Sequence, residues 1–367
     1  MSYDGIELSV IVPTFNEKEN VAELVRRLHQ CLDPHEWEVI FVDDDSPDGT
    51  ANVVRDIARH DPRVRCIQRI GRRGLSSACV EGMMSSFALY LAVMDADLQH
   101  DEKLLPAMLA ALKTNDIDIV VGSRYMAGGS LGSWDESRTA VSRVATWLSR
   151  LVVKAKLTDP MSGFFMLRRE VLVMVVRRLS VIGFKILVDI FASSPRPLRH
   201  KELPYEFRNR QAGESKLDSH VAWDYVMLLA DKLFGRFIPV RFVSFSIVGG
   251  SGIAVHLLIV ALFFRILGFG FTPSQTIAAG VAMTSNFFLN NMLTYRDMRL
   301  AGWRWIKGWI TFVVVCGLGV IANVGVASYL FQRETGWLLS ALAGIVVGSV
   351  WNYAVSSVFT WDGSKRT

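Results

Sequence analysis

The feature that most constrains the fold is a change of composition close to Arg241. Beyond that residue the sequence contains four apolar segments, and each has the roughly 20 residues that a helix needs to cross a bilayer. Of the 367 residues in the chain, 51% are hydrophobic and 20% are charged, which fits a chain divided between water and membrane. We therefore expect an all-α, four-helix transmembrane domain, with spans at 243–264, 272–294, 310–331 and 337–359.

The charges around these segments predict their orientation. Basic residues precede the first span, separate the second from the third and follow the fourth, whereas the opposite loops hold little beyond Arg265 and Arg333. By the positive-inside rule, the N-terminal region, the middle loop and the C-terminus all face the cytosol, as in a multi-pass protein of the cytoplasmic membrane. The net charge of +5 reflects this bias rather than nucleic-acid binding. The basic residues are Arg236, Arg241, Arg296, Arg299, Arg304, Lys307, Lys365 and Arg366.

The N-terminus and the cysteines also bear on the compartment. The first ten residues lack the basic start and apolar run of a signal peptide. The four cysteines are scattered without CxxC spacing, which disfavours a disulfide framework or a zinc site and fits a reducing compartment. We therefore expect the N-terminal domain to remain in the cytosol.

The first 125 residues or so alternate short apolar runs with segments of helical periodicity. This alternation predicts a doubly wound α/β sheet, in which ligands bind at the carboxyl ends of the strands. Acidic clusters fall at two such ends, at Asp43–Asp45 and at Asp95 and Asp97. The predicted strands are 8–13, 38–42, 64–67, 89–94 and 118–121.

Two later stretches have the pattern of basic amphipathic helices, 136–157 and 221–237. Such helices can lie in a membrane interface. For the first stretch, an ordinary helix packed on the sheet is an equally good interpretation. The second runs directly into the first apolar segment, so an interfacial position is favoured there.

The strongest chemical signal is the sequence Asp95-Ala96-Asp97-Leu98-Gln99 at the end of the fourth strand. Two carboxylates one residue apart in an extended segment point the same way, and Gln99 continues that face. Hard oxygen ligands in this number suit Mg²⁺ or Mn²⁺, which complete their coordination with phosphate oxygens. Asp95, Asp97 and Gln99 are the predicted metal ligands. His100 beside them is expected to be a neighbour only, and a ligand role is the alternative interpretation.

A second signal comes from the ends of the first two strands, PTFNE at 13–17 and VDDDSPDG at 42–49. Carboxylates there can accept hydrogen bonds from a base edge and from ribose hydroxyls. The same residues also fit a helix cap and a turn, and both roles can coexist. Neither GxGxxG nor GxxxxGK[ST] occurs, which disfavours dinucleotide-binding and P-loop folds.

Taken in order, eight motifs resemble the dolichol-phosphate mannose synthase family of inverting family-2 glycosyltransferases. They are VIVPTFNEKEN, VDDDSPDGT, GLSSA, VMDADLQH, GSRY, DPMSGFF, IGFKIL and GESK, and they cover about residues 6–217. Residues 240–361 resemble the four-span GtrA-like domain that is fused to some of these synthases. The resemblance implies a cytosolic GT-A domain at 1–217, an interfacial helix at 218–240 and a membrane domain at 241–367.

The resemblance also implies roles for individual residues. Asp95, Asp97 and Arg124 are the expected catalytic residues, and Arg124, Arg138 and Ser142 the expected cradle for an acceptor phosphate. The residues expected to bind the nucleotide-sugar donor are Pro13, Phe15, Glu17, Val42, Asp44, Asp95, Ala96, Asp97, Gln99, Lys185, Arg210 and Lys216.

The implied reaction transfers mannose from GDP-mannose to a polyprenyl phosphate at the bilayer surface, with inversion. A phosphate monoester has its second pKa near 6, so the acceptor is already largely an anionic nucleophile and needs no dedicated general base. UDP-glucose or another UDP-sugar is the nearest alternative donor. The acceptor's chain length and self-association of the chain are left open.

Two other classes of protein are considered. A processive polysaccharide synthase needs a QxxRW motif, but the Arg304-Trp305 pair here has Ala301 where the Gln should be. A lipid-sugar flippase or an anchoring module with a vestigial transferase domain would retain donor binding without turnover.

The apolar segments contain asparagines, which are costly towards lipid and are expected to face inward and hydrogen-bond between helices. A path for a lipid or a sugar is the alternative interpretation. His256 is expected to form a structural hydrogen bond. The asparagines are Asn286, Asn290, Asn291, Asn323 and Asn352.

Overall fold

The computed structural model describes residues 5–361 except 115, 131–143, 209–218, 236 and 335. The chain divides into two compact units, Met1–Leu233 and Phe234–Thr367, called here the N-terminal unit and the C-terminal unit. The domain boundaries that the sequence predicts are close to this division but stay a prediction.

The N-terminal unit is built on one seven-stranded sheet. Its order is β3-β2-β1-β4-β6-β5-β7, and the first four strands of that order are parallel. Strand β6 runs antiparallel to both of its neighbours, and β5 and β7 are parallel. The strands are β1 Leu8–Thr14, β2 Trp37–Asp43, β3 Val64–Gln68, β4 Tyr90–Val93, β5 Ile119–Ser123, β6 Phe165–Arg168 and β7 His200–Pro204.

Helices cover both faces of this sheet, because alternate residues of a strand point to opposite sides. On β1, Val10 and Val12 belong to one apolar core, and Ile11 belongs to the other. The first helix buries Leu24 and Leu28, one turn apart, against the β1 face that carries Val10. The helices are α1 Val21–Leu32, α2 Thr50–Ala58, α3 Leu75–Ser85, α4 Leu105–Lys113, α5 144–149, α6 Arg169–Val175, α7 Ile186–Ser193 and α8 Ser219–Phe234.

The α/β fold predicted from the alternation of strands and helices is confirmed. Each of the five predicted strands overlaps an observed one, whereas β6 and β7 had not been predicted. Strand β6 is only four residues long, and β7 has the polar sequence HKELP with an intermediate or exposed side chain at every position. Neither strand therefore shows a long apolar run or a clear alternation.

The two predicted amphipathic stretches differ in their surroundings. In the first, 144–149 form α5, on which Val144 and Trp147 are 58% and 62% exposed, while residues 136–143 lie outside the described part. In the second, α8 buries Tyr225 and Leu228 in the core of the N-terminal unit, and the Tyr225 hydroxyl donates to the Ala145 carbonyl at 2.7 Å. An interfacial position of either helix stays a prediction.

In its described residues the C-terminal unit contains four long helices, as the sequence predicts. They are α9 Val240–Val260, continued by a π-helical turn Ala261–Ile266, α10 Phe271–Leu289, continued by Asn290–Thr294, α11 Trp303–Gln332 and α12 Trp337–Phe359. Among the described residues, three helices are long and apolar enough to cross a membrane, with mean hydropathies of 2.3, 2.3 and 1.5 for the α9, α11 and α12 segments. Helix α10 is less apolar because it carries Gln275, Asn286 and several hydroxyl side chains. Its membrane crossing stays a prediction.

Aromatic rings form the core of the C-terminal unit. Tyr295 and Trp361 stack face to face with centroids 4.1 Å apart, and Phe287 and Phe312 both contact Trp361. These four rings are at most 2% exposed, so they are shielded on all sides. The cluster links the ends of α10 and α12 to the first half of α11.

The asparagines contribute to packing in two ways. Asn291 hydrogen-bonds the main chain of Leu300 through both ends of its amide and accepts from the Trp361 indole. Asn286 and Asn352 instead lie against glycines of the neighbouring helices, Gly252 and Gly319, and their carbonyl oxygens have no hydrogen-bond partner among the described residues. The prediction that the asparagines hydrogen-bond between helices is therefore not met by these two oxygens, each of which lies against the backbone of a neighbouring helix instead.

Candidate active site

The candidate site lies where β1, β2 and β4 end side by side. The register pairs Thr14 with Asp43, so the loops that follow these strands leave the sheet at the same edge. Three non-glycine residues in these loops, Asn16, Asp45 and Leu98, have φ between 56° and 61°. Left-handed backbone at a non-glycine residue is uncommon and tends to occur at functional sites. The carboxyl edge of the sheet is therefore strained where the acidic motifs lie.

Asp95 and Asp97 follow β4 directly, as the sequence predicts. The Asp97 residue is 6% exposed, and its Oδ1 accepts the Gln99 N–H at 3.2 Å. The Asp95 side chain is more open, at 38% exposure. Partial removal from water raises the pKa of Asp95, and the neighbouring Asp97 carboxylate raises it further. The alanine between them, Ala96, is buried, so only its main chain is available to a ligand.

Gln99 joins this loop to the segment after β7. Its Nε2 donates to the Arg208 carbonyl at 3.0 Å, and the Arg208 N–H donates to the Gln99 carbonyl at 3.0 Å. Arg208 in turn forms ion pairs with Asp101 and Glu102. The amide nitrogen of Gln99 is therefore engaged by protein, and a metal-binding role for its oxygen stays a prediction.

The donor set fits a divalent cation that is shared with a phosphate ligand. Among the described residues, no group of three or more His, Cys, Asp and Glu side chains is arranged to hold a metal by itself. Mg²⁺ and Mn²⁺ sites that bind substrate phosphates need only one or two carboxylates from the protein. Asp95 and Asp97 supply that number.

Arg124 follows β5 and is paired with Asp159 of the DPMSGFF motif. Its Nε and Nη2 donate to the two carboxylate oxygens of Asp159 at 2.7 and 2.9 Å, and its main-chain N–H donates at 3.2 Å. Both residues are buried, Asp159 completely. Two of the guanidinium nitrogens therefore already bond to a carboxylate, and a phosphate contact by Arg124 stays a prediction.

Lys185 lies at the start of α7 and donates to the Met161 carbonyl at 3.3 Å. Burial lowers the pKa of Lys185, and the charge of nearby Arg124 lowers it further, whereas Asp159 and Asp95 act in the opposite direction. Three predicted site residues, Asp95, Arg124 and Lys185, therefore lie close enough for their charges to influence one another.

The predicted nucleoside-binding residues lie at the ends of β1 and β2. Asp44 accepts from Arg69 at 2.6 Å and from the Gly74 main chain at 2.7 Å, and burial raises its pKa. Phe15 is covered by the Arg73 guanidinium, 4.3 Å from the ring centroid.

Three further predicted donor residues lie in or beside the same strand ends. Glu17 accepts from Asn20 at 2.8 Å, which fits the helix-capping interpretation as well as a ligand role. Pro13 is half-buried in β1. The side chain of Val42 is fully buried in the core beside Gly82, so it is not available to a ligand.

Four predicted residues, Arg138, Ser142, Arg210 and Lys216, lie outside the described residues.

Two partners of predicted site residues, Asp159 and Arg69, were not predicted from the sequence. Asp159 was visible as part of the DPMSGFF motif and, being an acid in a predicted site rich in basic residues, was a candidate counter-ion. Arg69 had no such signal, because it lies outside the motifs; the nearest one downstream, GLSSA, begins only at Gly74.

Comparisons with known proteins bear on both units. Residues 9–174 match the family model for glycosyl transferase family 2, and residues 244–361 match the GtrA/DPMS transmembrane domain. The dolichol-phosphate mannosyltransferase of Pyrococcus furiosus is 34% identical over 97% of this chain and 99% of its own length. The enzyme of the same name from Saccharomyces cerevisiae is 36% identical over 64% of this chain and 89% of its own length.

A solved structure, glucosyl-3-phosphoglycerate synthase from Mycobacterium tuberculosis, aligns with a TM-score of 0.47 at 16% identity. The alignment covers 62% of this chain and 80% of the synthase, and this similarity is too weak to bear on the site. The family models and the near full-length relative agree with the resemblance read from the motifs. The three apolar helices and the GtrA/DPMS domain indicate a membrane protein. The chain belongs to the dolichol-phosphate mannosyltransferase family, as a family-2 glycosyltransferase domain followed by a GtrA/DPMS transmembrane domain.

Proposed function

We propose that this protein transfers mannose from GDP-mannose to a polyprenyl phosphate and so forms a lipid-linked β-mannosyl phosphate. The observation that carries the proposal is the similarity to a relative named dolichol-phosphate mannosyltransferase, which extends over nearly the whole of both chains. The site residues support it, because a diphosphate leaving group and a phosphate nucleophile both need positive charge beside them. Arg124 and Lys185 are cations, and Asp95 and Asp97 would hold a divalent cation.

Asp95 and Asp97 would hold Mg²⁺ or Mn²⁺, which supplies charge neutralisation on the diphosphate of the donor. The ends of β1 and β2 would hold the nucleoside, with Asp44 kept in place by Arg69 and Gly74. The Phe15 ring, with the Arg73 guanidinium over it, would lie beside the base.

The acceptor phosphate is the nucleophile in this proposal. One of its oxygens attacks the anomeric carbon of the sugar, the bond from that carbon to the diphosphate oxygen breaks, and the configuration inverts. The nucleoside diphosphate leaves with the bonding electron pair. Because the acceptor is largely ionised at neutral pH, the site needs no side chain as general base. Arg124, already oriented by Asp159, and Lys185 would stabilise the phosphate charges.

The distribution of basic residues supports a cytosolic catalytic domain on the cytoplasmic membrane. Protease digestion of sealed, inside-out vesicles tests this orientation. Cleavage of the N-terminal unit in inside-out but not in right-side-out vesicles is the expected result, and the opposite pattern contradicts it.

The reaction is tested with purified full-length protein, a polyprenyl phosphate in detergent, and radiolabelled GDP-mannose, UDP-glucose or UDP-N-acetylglucosamine. Label from GDP-mannose alone should appear in the lipid fraction, and only with Mg²⁺ or Mn²⁺ present. Transfer from a UDP-sugar instead would keep the class of enzyme but replace the donor. Donor binding without transfer from any sugar would favour a vestigial domain.

The replacement Asp97→Ala should abolish transfer while the protein still inserts into membranes. Asp56→Ala is the matched control, because Asp56 is an exposed carboxylate on α2 that pairs with Arg59. It should retain full activity. Substantial turnover by the Asp97→Ala protein would contradict the metal assignment.

A further inference from the structure

His100 is enclosed by three aromatic rings beside the candidate metal ligands. It is 2% exposed and stacks on Phe164, with ring centroids 5.1 Å apart and planes 10° from parallel. Tyr205 and Phe207 present their edges at 5.8 and 5.9 Å. The ring therefore has a fixed plane, and only its two nitrogens are left to make polar contacts.

Both nitrogens of that ring face Asp95. The Asp95 N–H donates to His100 Nδ1 at 3.1 Å, so Nδ1 acts as an acceptor and carries no proton. In a neutral imidazole the other nitrogen, Nε2, is then the donor. Nε2 lies 3.7 Å from Asp95 Oδ2, which is longer than a hydrogen bond but close enough for the polar N–H to attract the carboxylate. The same ring thus accepts a hydrogen bond from the main chain of Asp95 and lies beside its side chain.

The DPMSGFF motif shapes the other side of this carboxylate. A Cβ added at Gly163 would lie 3.3 Å from Asp95 Oδ2 and 3.5 Å from His100 Cε1. The first distance is tighter than an ordinary contact, so the absence of a side chain at 163 leaves room for the carboxylate. The next residue, Phe164, supplies the ring on which His100 stacks. Two separate sequence motifs therefore meet around one oxygen.

We propose that His100 is a positioning residue, which fixes the orientation of the Asp95 carboxylate towards the divalent cation. It would not bind the cation itself, because Nδ1 is occupied and Nε2 carries the proton. This inference rests on the metal site of the proposed function. Groups that orient metal ligands typically change metal affinity or activity 10- to 100-fold when they are replaced.

The test measures Mn²⁺ binding by electron paramagnetic resonance, with full-length protein in detergent and saturating GDP. His100→Phe keeps an aromatic ring but removes both polar atoms, and it should weaken Mn²⁺ binding about 10- to 100-fold. His100→Asn places a carboxamide oxygen near the position of Nδ1 and should recover part of the loss. The matched control is His200→Phe, which replaces a half-buried histidine that also has an aromatic neighbour, Phe191. This variant should bind Mn²⁺ like the wild type.

Mn²⁺ binding by His100→Phe within twofold of the wild type would overturn the inference, and so would an equal loss in His200→Phe. If His100→Phe does not fold, His100→Leu, which also lacks both polar atoms, is measured in its place, and a loss of less than twofold would again overturn the inference. A wild-type protein that binds no Mn²⁺ would overturn the metal site together with this inference. Normal wild-type binding that the variants do not change would overturn this inference only.

A second, independent observation concerns an internal repeat in the C-terminal unit. The pattern FxxVxGxG at 245–252 on α9 recurs 67 residues later, at 312–319 on α11. Two dipeptides near the end of α10 are Asn286-Phe287 and Thr294-Tyr295. They recur 66 residues later as Asn352-Tyr353 and Thr360-Trp361. The hairpin of α9 and α10 therefore corresponds to the hairpin of α11 and α12.

The contacts repeat together with the sequence. A Cβ added at Gly252 would lie 2.6 Å from Asn286 Oδ1, and a Cβ at Gly319 would likewise collide with Asn352 Oδ1. Both oxygens lack a hydrogen-bond partner among the described residues. A carbonyl oxygen this close to a glycine Cα can accept a weak Cα–H···O bond, and the recurrence of the geometry in both hairpins favours that explanation.

Ring contacts between the hairpins are related in the same way. Phe245 lies 5.8 Å from Tyr353, and the corresponding pair, Phe312 and Phe287, lies 5.6 Å apart. Two further pairs join a residue to its own counterpart, Phe245 to Phe312 and Tyr295 to Trp361. A twofold rotation that exchanges the hairpins produces this set of contacts.

We propose that the C-terminal unit is a tandem duplicate of a two-helix hairpin, and that each hairpin uses one face to bind the other about an internal twofold axis. The Gly–Asn contact would lock each hairpin internally. Because the two locks are equivalent, breaking either one should have a similar effect.

Four glycine variants of the full-length protein test this equivalence. Gly252→Ala and Gly319→Ala should each lower the midpoint of thermal unfolding in detergent, by shifts that agree within a factor of two. Gly250→Ala and Gly317→Ala are matched controls at corresponding positions, where an added Cβ meets nothing within 4 Å. They should leave the midpoint unchanged or raise it slightly, since alanine favours a helix over glycine.

A shift in only one of the two contact variants, or equal shifts in the controls, would overturn the proposal. If an alanine variant does not fold, Asn286→Ser and Asn352→Ser are compared instead. These shorten the side chain that lies on each glycine, and unequal shifts would again overturn the equivalence.

Discussion

The two units bury different kinds of polar groups. In the N-terminal unit many buried polar side chains are ionised and paired, such as Arg69 with Asp44 and Arg124 with Asp159. In the described part of the C-terminal unit the buried polar side chains are hydroxyls and amides, such as Ser244, Asn290 and Asn291. The contrast between the two units therefore lies in the charge of their buried polar groups.

This contrast reflects the cost of removing a charge from water. A buried ion pair roughly offsets its desolvation only when its geometry is good and its remaining hydrogen bonds are satisfied. A site that must attract phosphates has a reason to retain such pairs. Helices that face lipid have no water nearby to share the cost, and neutral amides and hydroxyls are the cheaper polar groups there. We therefore expect the units to respond differently to the same kinds of substitution.

The largest effect is expected for Asp159→Ala. It leaves the buried Arg124 guanidinium without its carboxylate, which should cost about 3–5 kcal/mol in the free energy of unfolding of the N-terminal unit. Urea unfolding followed by tryptophan fluorescence measures the change. Replacing both partners, as Asp159→Leu with Arg124→Met, should recover much of the loss in stability without restoring transfer. A stability loss below about 1 kcal/mol for Asp159→Ala would show that charge pairing does not hold this unit together.

Trp361→Ala is the corresponding change in the C-terminal unit. It removes a ring that is 1% exposed and stacked on Tyr295. Such a truncation costs about 3–5 kcal/mol in a water-soluble core, but lipid is as apolar as the helix interface, so we expect about 2 kcal/mol. Unfolding in mixed micelles of mild detergent and dodecyl sulfate measures it. The effect should not change between pH 5 and 8, and a strong pH dependence would contradict a core held by neutral groups.

Asp118 provides the matching pH test in the N-terminal unit. Hydrogen bonds from Arg196, and then from Arg199, hold the pKa of the Asp118 carboxyl well below its usual range. A depressed pKa contributes stability that is present above the unfolded-state value of about 3.9 and is lost as the pH falls further. Asp118→Asn should cost about 1–2 kcal/mol at pH 7, because both arginines are half exposed.

The difference in unfolding free energy between wild type and Asp118→Asn should shrink steadily below pH 4. Measuring both proteins from pH 7 to pH 3 checks this. A difference that stays constant over that range would mean that the ion pairs contribute little.

The smallest effect is expected for Arg59→Ala on the surface of the N-terminal unit. Arg59 and Asp56 form an ion pair at 2.7 Å, but their side chains are 74% and 66% exposed. Pairs of this kind contribute about 0–0.5 kcal/mol, so the urea midpoint should not move measurably. A loss comparable to that of Asp118→Asn would show that burial does not decide the value of an ion pair in this unit.

Much of the fold could be predicted because apolar periodicity records burial directly. Strands β1 and β2 are almost continuously buried because helices cover both faces of the sheet, and the buried residues of α1 recur at helical spacing. The apolar segments after Arg241 are long enough to be recognised without any neighbour. Strands β6 and β7 are short or polar, and they owe their place to pairing with β4 and β5, which the local sequence does not encode.

The candidate site could be predicted in its acidic parts and less well in its partners. Asp95 and Asp97 follow a buried strand, and that position alone indicated a site. The partners of Asp44 and Arg124 lie 25 and 35 residues away along the chain, so only the folded sheet brings them together. His100 was expected to be a mere neighbour, since a ring's direction cannot be read from sequence, and the contacts of both its nitrogens were visible only in the structure.

The place of Trp361 matters for how the protein is made. Ribosomes make the chain from the N-terminus, so Phe287 and Tyr295 are synthesised before the indole that finally covers them. Until then the first hairpin is an unfinished intermediate with exposed rings, which membrane chaperones and proteases can detect. A frameshift or stop codon just before residue 361 would therefore leave every strand of the transferase sheet translated while preventing the C-terminal unit from maturing.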